Sequence, residues 1–243
     1  MKKVLLSLAM LSVISTPVLA KTPVANLKIN GDIKPPTCTI NGGNVDLVYN
    51  LGNISPSVIP NDMTYNQLPS ISNTLTVTCD TSTFLTFRAT DGYPNSFIQT
   101  PGMNINFRAH AFNLVDSADT SKTVGGITYR WKDVTVDGKD AYLSRANDGD
   151  ASYDNGNWSV EYQMVKGATV GWTAEQQKYV SPDKLNLLSG KTFKATFYNE
   201  NKISYNVALT YLHSKKMLTE DGTDLTMGLD YTGQVILTFN FGV

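Results

Sequence analysis

Apolar and polar residues alternate through much of this chain, and that two-residue period constrains its fold more than any other feature. Leu75, Val77 and Cys79 fall on one side of an extended run, with Thr74, Thr76 and Thr78 on the other. Successive side chains of a β-strand point to opposite faces, so this spacing predicts a half-buried strand. Leu85, Phe87 and Ala89 repeat the pattern after Asp80-Thr81-Ser82, which reads as a turn. Further runs occur at Ile127–Val136, Trp158–Val165, Thr192–Tyr198 and Tyr205–Leu212, and the last is Val235, Leu237, Phe239, Phe241 and Val243. They are rich in Thr, Val, Tyr and Phe and are separated by Gly, Asn and Asp. Only Thr173–Tyr179 carries a helical spacing. Many short strands imply an all-β sandwich. No repeat or linker divides them. We therefore expect one domain with long insertions between Asp91 and Ser189, of which Gly149–Asn157 is the most loop-like stretch.

The leading residues carry an address. Lys2 and Lys3 precede an apolar run from Val4 to Ile14, a break at Ser15-Thr16-Pro17, and Val18-Leu19-Ala20. That is the layout of a secretory signal peptide, with Lys21 as the first mature residue. The apolar run is shorter than the roughly 18 residues a spanning helix needs. Removing residues 1–20 leaves 223 residues with 18 basic and 21 acidic side chains, a formal charge of −3. Neither nucleic-acid binding nor a polybasic membrane-surface role fits that balance. At 41% hydrophobic and 17% charged residues, the chain can build a core. Export also bears on Cys38 and Cys79, the only cysteines. An oxidising compartment favours their union, and the other ligands of a metal site are missing because His110 and His213 stand alone.

The two ends add a further pattern. In the mature N-terminal segment, Ala25, Leu27, Ile29, Gly31 and Ile33 share one face, with Asn26, Lys28, Asn30 and Asp32 on the other. Lys34-Pro35-Pro36-Thr37 then holds the chain extended before a new strand at Cys38. Signal peptide, alternating arm, Asn30-Gly31, Cys38, and Cys79 closing Leu75-Thr76-Val77-Thr78 together resemble a subunit of a chaperone–usher pilus. The stretch Val45-Asp46-Leu47 to Leu51-Gly52-Asn53-Ile54 and the terminal alternating strand add to the likeness. The resemblance covers about residues 21–90 and 225–243. In length and insertions it is most similar to the fimbrial-like proteins encoded beside usher systems. Here Phe241 is third from the end and Asp230 fourteenth, where the family pattern has an aromatic second from the end and a glycine fourteenth.

The resemblance implies an immunoglobulin-like, pilin-type β-sandwich missing its last strand, with residues 31–243 as the domain and 21–30 as a donor arm. It implies that Ala25, Leu27 and Ile29 are donor side chains. Val235, Leu237, Phe239 and Phe241 would line an acceptor groove that also binds a periplasmic pilus chaperone. Further partners would be an outer-membrane usher and other pilus subunits, and the product a cell-surface fimbrium serving adhesion. A non-polymerising periplasmic protein with a regulatory or ligand-binding role, and a carbohydrate-binding tip adhesin, stay open as alternatives.

No enzyme, metal or cofactor is expected. Ser181-Pro182-Asp183-Lys184 and Ser204-Tyr205-Asn206 are fragments of penicillin-interacting motifs, but no Lys-Thr-Gly accompanies them. Asp150, Ser152, Asp154 and Glu161 have calcium-loop spacing, but Gly156 falls one position late and no helices flank the loop. Tyr153, Trp158, Tyr162 and Trp172 could present rings to a sugar, although core and cross-strand packing explains them more simply.

Overall fold

The computed structural model describes residues 32–95, 97–150, 163–178, 180–201, 203–204 and 207–242. The chain separates into two compact units at Pro35/Pro36, and all that follows concerns the second. The expected signal peptide and the arm at 21–30 lie outside the described residues.

The spine is a 20-residue strand, β2 (Ser72–Asp91), preceded by β1 (Cys38–Ile40). Leu75, Val77, Cys79, Leu85, Phe87 and Ala89 are all buried, so the same parity faces the core in both halves of the strand. The turn read at Asp80-Thr81-Ser82 is instead part of this strand, and the ladder with β9 (Ser189–Asn199) shifts register between Thr78 and Thr83. An irregularity of that kind admits the turn-forming residues without ending the strand. In its first half β2 pairs with β1 and β9. In its second half, Phe87 and Arg88 face β8 (Thr169–Thr173) on one edge and β14 (Val235–Phe241) on the other. β5 (Tyr129–Val136), β6 (Lys139–Asp140) and β7 (Tyr142–Arg145) extend this sheet to eight strands.

A second sheet has the order β12 (Thr210–Leu212), β4 (Thr123–Ile127), β3 (Phe112–Asp116), β13 (Tyr231–Thr232). Ile203–Ser204 (β10) and Val207–Ala208 (β11) form a separate pair. Every ladder is antiparallel, and Phe112, Leu114, Val124, Ile127 and Leu212 of the small sheet share one buried cluster with Leu75, Phe87, Trp172 and Phe197 of the large one. The molecule is thus an all-β, two-sheet sandwich. Six strands, β3 to β8, fall inside the interval Asp91–Ser189 expected to hold long insertions, so part of it builds the sheets.

The small sheet is covered on its other side too. Tyr211, opposite in parity to Leu212, packs with Met103, Phe97 and Phe107. Gly125 and Gly126 permit this: a Cβ at Gly125 would stand 2.2 Å from the Tyr211 carbonyl oxygen, and one at Gly126 2.9 Å from its hydroxyl oxygen.

The helix expected at 173–179 does not form in its described part. Thr173 belongs to β8, and Gln176 and Gln177 spend their amides on Leu143 O and Lys184 O. Polar side chains that bond to distant backbone compete with a helix's own ladder. The single α-helix among the described residues, α1 (Lys215–Glu220), starts where Ser214 Oγ accepts from the Met217 N–H at 3.3 Å.

Just before α1, His213 is 1% exposed, and neither ring nitrogen has a hydrogen-bond partner among the described residues. Burial pushes its pKa down to about 4. The ring is therefore neutral when folded, and the unfolded chain binds a proton first, near pH 6.5. Stability from this group is complete above pH 6.5 and is lost as pH falls to about 4. The loss is on the order of 3 kcal/mol. Urea unfolding between pH 7.5 and 4 should show a steeper decline for the wild type than for His213→Leu; equal declines would refute the assignment.

Candidate functional site

The segment that follows β1 and the strand β14 meet at a cleft between the sheets. β1 stops at Ile40 because Asn41, Gly42 and Gly43 take φ of 45°, 66° and 110°, turning the chain outward. Asn41 Oδ1 then accepts from the Thr76 N–H at 2.8 Å, filling one vacated place in the ladder. Residues 45–54 form one wall as an irregular segment held by three tethers. Val48 O accepts from Asn73 Nδ2 at 2.8 Å, and the Tyr49 hydroxyl donates to Phe197 O at 3.0 Å. At the far end the Tyr231 hydroxyl donates to Gly52 O at 3.3 Å.

The opposite wall is β14. Val235, Leu237 and Phe239 turn inward but are only half-buried, and Phe239 meets Phe87 at 5.8 Å between ring centroids. β2 is the only strand that β14 pairs with among the described residues, and its second edge has no partner strand among them. The floor is apolar and drawn from both sheets: Leu75 and Phe197 from one, Leu114 and Ile127 from the other. The cleft measures about 1140 Å³. Val45 and Met227, 66% and 94% exposed, stand among its lining residues.

Charge is sparse there. Burial pushes the Tyr49 phenol up to about 12, and Tyr129 is raised above its ordinary value for the same reason, so both rings remain neutral. Asp46, in the 45–54 segment, and Asp230, just before Tyr231, are the only acidic side chains among the lining residues.

Of the residues named from sequence, Val235, Leu237 and Phe239 line the cleft, whereas Phe241 is 50% exposed and lies beyond it. Ala25, Leu27 and Ile29 lie outside the described residues. Cys38 and Cys79 form the expected disulfide, S–S 2.06 Å, across β1 and β2. Asp150 is described, but Ser152, Asp154 and Glu161 are not. Trp172 is fully buried against Phe87 and Phe193, which makes it core; Tyr153, Trp158 and Tyr162 lie outside the described residues. The Ser181 hydroxyl and the Lys184 ammonium both contact the Asp183 carboxylate.

One pair escaped sequence reading. The Asp91 side chain is 3% exposed, with Lys166 Nζ 3.8 Å from its carboxylate. The Tyr93 and Asn113 N–H groups donate to it at 3.1 and 2.8 Å. Burial raises the Asp91 pKa against the pull of these amides, and burial lowers that of Lys166. Asp91 is the partner of Val235, so the pair braces the point where the β14 wall begins.

Comparison with protein-family models and with curated proteins gave no match, so any functional reading rests on this cleft and on the sequence pattern.

Proposed function

We propose that this chain is an exported structural subunit of a fimbrium, assembled by strand exchange with the help of a periplasmic chaperone and an outer-membrane usher, and serving adhesion. The observation that carries the reading is the cleft: an apolar floor, a half-buried row Val235–Leu237–Phe239, and a β14 edge with no partner strand among the described residues. Such a surface is unstable in water and takes an added strand by main-chain hydrogen bonding. On this reading the sandwich is immunoglobulin-like and of the pilin type, and its last strand comes from another molecule. A chaperone occupies the cleft first, and the arm at residues 21–30 of a neighbouring subunit replaces it. The event is non-covalent and needs no catalytic group.

Co-expression tests this directly. Soluble periplasmic yield should rise several-fold when a pilus chaperone accompanies the chain, and deletion of residues 21–30 should abolish assembly while the domain still folds. A high yield of monomer without any chaperone would count decisively against an open cleft.

A further inference from the structure

We propose that the cleft selects the arm of a second copy of this chain, and that Asp46 and Asp230 make the selection by pairing with Lys28 of that arm. The proposal rests on the strand-accepting reading and adds the partner's identity. The cleft supplies the first half of the argument. Its lining contains no Lys, Arg, His or Glu; its two acids are Asp46, on the 45–54 wall, and Asp230, just before β13. Both are exposed, and neither makes an ion pair among the described residues.

The chain's own arm supplies the second half. Residues 21–30 contain Lys21 and Lys28 and no acid. A strand seated with Leu27 and Ile29 toward the floor places the intervening residue 28 at the mouth, between the two walls. An ammonium there pairs with the two carboxylates of the lining. An arm of ten residues is also long enough to span the seven of β14. Pairs at a solvated rim add little affinity, but they speed encounter and disfavour strands with an acid at that position.

The test uses the full-length chain, refolded from denaturant, with assembly followed by light scattering and by oligomer ladders. Lys28→Glu should assemble about fivefold more slowly at low ionic strength, and the difference should close at about 0.5 M salt. Adding Asp46→Lys and Asp230→Lys to Lys28→Glu should restore the rate. Leu27→Asp serves as the control, since it removes an inward-facing donor side chain. If Leu27→Asp blocks assembly but Lys28→Glu does not slow it, self-selection is overturned while strand donation stands. If the wild type stays monomeric yet binds an alternating strand peptide lacking lysine, the partner is a different subunit and the proposal also fails. If Leu27→Asp assembles normally, both readings fall together.

Discussion

Replacing Cys38 and Cys79 by serine is expected to destabilise the domain by about 4 kcal/mol, the loop-entropy value for a closure of this length. The bond joins residues 41 apart, and β1 is only three residues long. Without the bond, three ladder positions and the flanking Thr37–Asp80 and Asn41–Thr76 hydrogen bonds would hold β1 to β2, and the turn at Asn41–Gly43 that starts the 45–54 wall would lose its covalent anchor. A domain of this size should then melt roughly 10 °C lower. The double serine variant should reveal the loss in urea unfolding, with oxidised wild type as reference. A deficit under about 1 kcal/mol would show that β1 is held by its packing and that the link is dispensable.

A loss of about 3 to 5 kcal/mol is expected for Phe87→Ala, since the site can collapse only in part. Phe87 is fully buried, and its ring lies 5.7 Å from Trp172, 5.8 Å from Phe197 and 5.8 Å from Phe239. It therefore joins the core of the large sheet to the wall of the cleft. Against a total stability of about 5 to 15 kcal/mol, the alanine variant would be marginal. Phe87→Leu should retain most of the stability. Thermal melting of both variants checks this, and nearly equal melting points for wild type and Phe87→Ala would mean that this ring does not unite the core with β14.

The strand pattern was legible because it is local. Leu75, Val77 and Cys79, then Leu85, Phe87 and Ala89, declare their buried face by spacing alone, and the structure buries that face in both halves of β2. Where reading failed, a distant partner decided. Asp80-Thr81-Ser82 has turn chemistry, yet β9 pairs with β2 up to Thr78 and again from Thr83, so the ladder continues past it. Thr173–Tyr179 has helical spacing, but Ser144 Oγ accepts from the Gln177 N–H and Asn186 N–H donates to the Gln177 side chain, so distant groups claim what a helix would need. The Asp91–Lys166 pair bridges 75 positions with no motif to announce it.

The cleft divides along the same line. Val235, Leu237 and Phe239 could be assigned to one face from their alternation, because parity depends only on chain geometry. That the opposite wall comes from residues 45–54, that Phe241 lies outside, and that β14 has an edge without a described partner depend on which segments meet. Parity is a property of neighbouring residues, whereas edges and burial arise from contacts made after long loops close. For that reason the amino-acid order settled the strand class and the cysteine pairing, and the packed molecule alone revealed where its interior opens.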